Sequence, residues 1–160
     1  EQNLTELGHI WYTDKVVGEF VRTAQALDET ALFVLSGDHS ERFSFAKEVP
    51  TRTTSAIPCI FYGQGVEKNL FSASSYGCHA QLPGTLAELL APAGFTYSAI
   101  LPNMVENQDP VFATNLYAYK DIVGRTKDEA FKNLPQDVLS RIEAARKLST
   151  QRVFQGNRIK

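Results

Sequence analysis

The chain has 160 residues, 43% of them apolar, with 16 basic against 18 acidic residues and a net charge of −2. That apolar content supports one ordinary core and excludes a disordered or collagen-like chain. No run of Lys or Arg lines a groove, and Arg141, Arg146 and Lys147 read as a solvated helix face, so nucleic acid is not an expected partner.

Asn3 and Glu6 have the spacing of a capping box. Leu7, Ile10, Trp11, Val17, Val21 and Ala24 then recur at near-helical spacing, so the chain opens on a helix. Asp28-Glu29-Thr30 makes a turn, and Ala31 to Leu35 is a short continuous apolar run, the pattern of a strand buried on both faces. Helix, tight turn and buried strand together predict an α/β layer. Ser36 to Ala56 is polar, irregular and long enough to be a functional loop. Ile57 to Tyr62 reads as a second strand, with Pro58 at its start or on an edge and Gly63-Gln64-Gly65 stopping it. Pro83 suits the first turn of a helix running through Leu86, Leu89 and Leu90, which Pro92 and Gly94 end. Phe95 to Leu101 is a third expected strand. Beyond Pro102 the pattern weakens. Thr126 and Glu129 form a second capping-box pair, Val138, Leu139, Ile142, Ala145 and Leu148 mark a helix over 134–149, and the last ten residues read as a loose tail.

Neither a repeat nor a low-complexity tract occurs, and no apolar stretch approaches the roughly 20 residues that cross a bilayer. The two cysteines make no disulfide framework, and Cys59 reads as a small buried thiol. The chain starts at Glu1 without a Met or a visible signal peptide, and reads as a piece of a longer protein.

The run Leu35-Ser36-Gly37-Asp38-His39-Ser40-Glu41-Arg42 carries the chemistry. It begins where the first strand ends, the place where open α/β sheets gather ligands. Gly37 permits a sharp turn, after which Asp38 and His39 offer a carboxylate and an imidazole side by side, a donor pair suited to Zn²⁺ or Mn²⁺. Taken alone the pair is weak, because an Asp capping the next turn beside an exposed His has the same sequence.

The surrounding blocks resemble the alkaline phosphatase superfamily. They are similar above all to its sulfatase-like branch of lipoteichoic acid synthases and related phosphoglycerol or phosphoethanolamine transferases. The helix Tyr12-Thr13-Asp14-Lys15-Val16-Val17-Gly18-Glu19-Phe20 matches a Tyr-x-Asp-x-x-x-Gly-x-Phe pattern. A strand ending in Asp38-His39 follows, then Pro58-Cys59-Ile60-Phe61-Tyr62-Gly63-Gln64-Gly65, then the helix start His79-Ala80-Gln81-Leu82-Pro83-Gly84-Thr85-Leu86. These four ordered blocks span about residues 7–91. Ser40 departs from the family's usual glycine.

The resemblance implies an alkaline-phosphatase-like α/β sandwich with a mostly parallel sheet flanked by helices, this chain being its C-terminal part. On that reading 1–160 is one domain, with 1–101 the family-like core and 102–160 a divergent extension. Asp38 and His39 would be metal ligands for Mn²⁺ or Zn²⁺, with Mg²⁺ or Ca²⁺ as lesser alternatives. Arg42, Arg52 and His79 would border the substrate. The nucleophile and remaining ligands would lie upstream, in a missing N-terminal half, so Thr53 and Thr54 are not nucleophile candidates and the fragment alone would be inactive. The implied reaction transfers a phosphoglycerol-type group from a small-molecule or lipid-head-group ester, outside the cytoplasm, in a protein anchored to the membrane by an upstream segment. Rival readings are a sulfatase or phosphodiesterase using water, a non-catalytic domain of the same fold, and an unrelated α/β binding module with a chance Asp-His.

Other candidates have blander roles. His9 reads as a packed or surface residue, and Asp14 as a tie between the first helix and a neighbouring loop. Phe43 and Phe45 read either as the floor of a lipid-facing groove or as packing under the loop.

Overall fold

The computed structural model describes residues 2–40, 50–71, 76–105 and 110–155. Two compact units emerge: Glu1–Phe45 with Ser55–Glu67, and Ala46–Thr54 with Lys68–Lys160.

In the first unit, helix α1 (Gln2–Leu27) leads into strand β1 (Leu32–Ser36), and β1 pairs antiparallel with β2 (Cys59–Gly63). The register runs from Leu32 opposite Gly63 to Ser36 opposite Cys59. The link after α1 is the expected Asp-Glu-Thr turn. Asp28 Oδ1 accepts the Thr30 N–H at 2.9 Å and the Thr30 hydroxyl at 2.7 Å, an Asx-type closure. A two-stranded ribbon is marginal alone and needs a helix against it. The C-terminal half of α1 supplies one: Val17, Val21 and Ala24 are half-buried. The Phe20 ring meets the buried Phe33 edge-on at 6.5 Å, and the Tyr62 hydroxyl donates to Gln25 Oε1 at 3.2 Å. Gly63 ends β2 with φ 151°, and a Cβ there would collide with the Ala31 carbonyl oxygen, so this stop signal is a steric necessity.

The second unit holds most of the short helix α2 (Thr51–Ser55), then a 3-10 turn (His79–Gln81) running into α3 (Leu82–Leu90) with Pro83 in its first turn. A sheet in the order β3 (Val111–Phe112), β4 (Leu116–Tyr119), β5 (Ile122–Arg125) follows, antiparallel throughout. Helices α4 (Glu129–Lys132) and α5 (Gln136–Gln155) close the chain. Its core is Leu101, Phe112, Tyr117, Phe131, Leu134, Val138, Ile142 and Ala145. Val138, Ile142 and Ala145 recur at i, i+4, i+7, one face of α5. Leu148, expected on that face, is 45% exposed.

The structure overturns the expected α/β sandwich with its mostly parallel sheet. Among the described residues there are two separate antiparallel sheets, of two and three strands. A parallel neighbour requires a crossover, usually a helix on the sheet face. Between β1 and β2 the described chain offers only the five residues of α2. The run Ala31–Leu35 is a strand but not an interior one, and within β1 only Phe33 is buried. Phe95–Leu101 forms no strand. Asn3 lies inside α1 and does not cap it, Thr126 sits in the turn after β5 while α4 starts behind Asp128, and α5 continues six residues past the expected end at 149.

Candidate metal-binding turn

Asp38 and His39 follow β1 directly, in the turn that leaves the ribbon. Gly37 reaches this turn without a positive φ; the tight neighbours of a Cβ there would be the His39 carbonyl and Ile57, at 3.4 and 3.5 Å. The Asp38 carboxylate is split in function: Oδ1 accepts the His39 backbone N–H at 2.9 Å, which fixes the carboxylate, while Oδ2 faces His39 Nε2 at 3.7 Å. His39 Nδ1 lies 2.8 Å from the Ser40 carbonyl oxygen. A carbonyl can only accept, so Nδ1 is the donor and the neutral ring keeps its lone pair on Nε2. The sequence turns both donor atoms to one side, as the metal reading requires.

This donor set fits a divalent ion. Two ligand atoms about 2.1 Å from one tetrahedral ion sit roughly 3.4 Å apart, close to the observed 3.7 Å. A metal-binding His typically donates its other ring N–H to a carbonyl or carboxylate, and the Ser40 carbonyl takes that role. The pair is open to solvent, with His39 60% and Asp38 89% exposed at the side chain. Among the described residues no group of three or more His, Cys, Asp or Glu side chains could hold a metal, so the candidate donors at this turn number two there.

Arg42 lies outside the described residues, as do Phe43 and Phe45. Arg52 and His79 belong to the second unit. Arg52 stacks its guanidinium 5.3 Å over the Tyr76 ring, and His79 opens the 3-10 turn as an exposed residue. The Thr54 hydroxyl is turned back on the Pro50 and Thr51 carbonyls. Asp14 and His9 are exposed on α1, and among the described residues Asp14 makes no tie to a loop.

In the block from His79 to Leu86, the well-placed residues are Gln81 and Thr85, which the sequence reading passed over. Both are fully buried. The Gln81 amide accepts from Cys78 N–H at 3.1 Å and donates to the Pro102 carbonyl at 2.8 Å. The Thr85 hydroxyl donates to the Gln81 carbonyl at 2.8 Å and accepts from Met104 N–H at 2.9 Å. Together they staple α3 to residues 102–104, a structural use of a block that had pointed to substrate. The only available signal was composition: a buried amide and hydroxyl flanking Pro83 must find partners.

Comparison with family models, curated proteins and solved structures finds no match to this chain.

Proposed function

We propose that the Asp38–His39 turn contributes two ligands to a divalent-metal site serving phosphate- or sulfate-ester chemistry, in the first instance transfer of a phosphoglycerol-type group. The observation that carries this reading is the 3.7 Å approach of Oδ2 and Nε2, with Oδ1 and Nδ1 each held by a backbone partner. The four ordered sequence blocks support the ester class, although the mostly parallel sheet expected from that resemblance is not found among the described residues and lends no support.

A bound Zn²⁺ or Mn²⁺ would stabilise the negative charge that builds on the ester oxygens. The chain's part is to present a fixed carboxylate oxygen and an imidazole nitrogen of set tautomer. With two protein ligands against the three or more of tight catalytic sites, the isolated chain binds weakly and turns nothing over. The nucleophile, further ligands and membrane anchor belong to other parts of a longer protein acting outside the cytoplasm. A second reading takes the Asp38 Oδ1 bond to His39 N–H as a plain turn closure with no ligand role.

Titration of Zn²⁺ or Mn²⁺ into the isotopically labelled chain separates the two. Metal binding perturbs Gly37 to Ser40 saturably and weakly, and Asp38→Asn or His39→Ala removes the response. In the longer protein both variants lose metal and activity together, by on the order of a hundredfold or more. Arg42→Ala lowers substrate use and leaves the metal bound. A plain turn gives no saturable response, and full activity in either ligand variant sinks the assignment.

A further inference from the structure

The Asp38–His39 turn has a wall that its donor residues do not supply. The β1–β2 ladder ends with Ser36 opposite Cys59. One step further the same register would set Gly37 against Pro58, which has no N–H to carry the ladder on. Past Ser36 the chain is no longer fixed by strand pairing, and the turn needs another support. Ile57, half-buried and just before Pro58, stands against Gly37: a Cβ on Gly37 would meet Ile57 Cβ and Cγ2, each at 3.5 Å. The His39 carbonyl oxygen stands 3.4 Å from the same point, so the turn folds back over Gly37 with Ile57 beside it. Both of the Ile57 atoms that meet this point belong to the branch at Cβ. Branching there restricts χ1, so the wall is stiff.

We propose that Ile57 is a positioning residue for the Asp38–His39 pair, an inference that rests on the metal reading of the turn. Its β-branch holds Gly37, and with it the backbone from which Asp38 Oδ2 and His39 Nε2 approach to 3.7 Å. Held in this way the pair meets an ion already arranged, so binding does not have to order the turn. A residue that merely covered the turn would act through its volume. Ile57 acts through the place of its branch.

The test moves the branch while keeping the side chain apolar. Ile57→Val keeps Cβ and both Cγ atoms, whereas Ile57→Leu keeps the volume and shifts the branch one atom outward. Two readouts follow each labelled chain. One is the set of ring ¹⁵N shifts of neutral His39 without metal, which report the tautomer that the Nδ1–H bond to the Ser40 carbonyl fixes. The other is the Zn²⁺ affinity from titration. Ile57→Val keeps the native ring shifts and stays within about twofold in affinity. Ile57→Leu moves the ring shifts toward a mixture of tautomers and weakens Zn²⁺ about tenfold, the scale of leaving one backbone residue to be ordered on binding. A residue that serves as cover alone gives the reverse order, with Leu tolerated and Val the weaker. That order, or native values in both variants, overturns the proposal. Absence of a Zn²⁺ response in the native chain defeats the metal reading instead, and the metal-free ring shifts still decide whether Ile57 sets the turn.

Discussion

Tyr117 holds the least expected atom in the molecule. Its side chain is buried to 1% exposure in the second core, and its hydroxyl has no hydrogen-bond partner among the described residues. It sits on β4 directly opposite Gly124 on β5, and a Cβ at Gly124 would lie 2.9 Å from the hydroxyl oxygen. The ring thus occupies the space that a cross-strand side chain would take, a large aromatic over a strand glycine. An unpaired buried hydroxyl costs free energy that no bond repays. Tyr117→Phe keeps the ring packing and is expected to raise stability by about 1 kcal/mol in chemical denaturation. The same atom sets an alkaline dependence. Burial first, and the negative charge of Asp128 second, push the Tyr117 hydroxyl above its ordinary pKa. A group whose folded pKa is raised contributes stability that is fully present below the unfolded value of about 10 and is lost as pH rises through the folded one. Denaturation curves on either side of pH 10 should therefore show a steeper alkaline loss in the native sequence than in Tyr117→Phe. Parallel curves for the two proteins would mean that the hydroxyl is hydrated in the folded state.

At the scale of elements, the β4–β5 hairpin is closed by the two residues Lys120 and Asp121, and Lys120 has φ 51°. Two-residue hairpin turns commonly demand positive φ and are read in sequence from Asn-Gly or Asp-Gly. Lys-Asp gives no such signal. This is why a sheet of strands two to four residues long went unread in 102–125, whereas α1, α3 and α5, with several turns of periodic apolar residues, were legible. β1 and β2 were legible as strands, but a continuous apolar run does not state its partner. Here β1 and β2 pair antiparallel, and among the described residues between them only α2 is helical. The candidate site divides in the same way. Asp38 and His39 follow locally from a turn after a strand, so their proximity could be read. Grouping Arg52 and His79 with them rested on the resemblance alone, and both belong to the other unit. A lysine in the left-handed region costs roughly 1 kcal/mol relative to glycine. Lys120→Gly is therefore expected to raise the melting temperature by roughly 3 °C. A lower melting temperature in that variant would show that the Lys120 ammonium over the Tyr119 ring, 5.2 Å from its centroid, outweighs the backbone strain.

Over the whole molecule, burial is distributed unevenly between helix and ribbon in the first unit. α1 has 26 residues and extends about 39 Å, whereas a five-residue strand spans about 17 Å. The helix outruns the ribbon. Its C-terminal half packs through Val17, Val21 and Ala24, while Leu7, Ile10 and Trp11, on the continuation of the same stripe, are 50%, 56% and 64% exposed. Periodicity alone reads both halves as core, because it identifies a face without showing what covers it. The energetic consequence differs sharply along one helix. Leu7→Ala and Ile10→Ala remove side chains that touch little and should cost no more than about 0.5 kcal/mol. Phe33→Ala removes a buried ring that meets both Phe20 and Tyr62 and should cost about 3–5 kcal/mol. Trp11 is the chain's single tryptophan, so its fluorescence reports this region without labelling. Its emission should be that of a water-exposed indole, freely quenched by acrylamide, and should change little when the Phe33 variant is compared with the native chain at low temperature. A cost of 2 kcal/mol or more for Leu7→Ala, or a Trp11 protected from quencher, would mean that the N-terminal half of α1 is covered in solution.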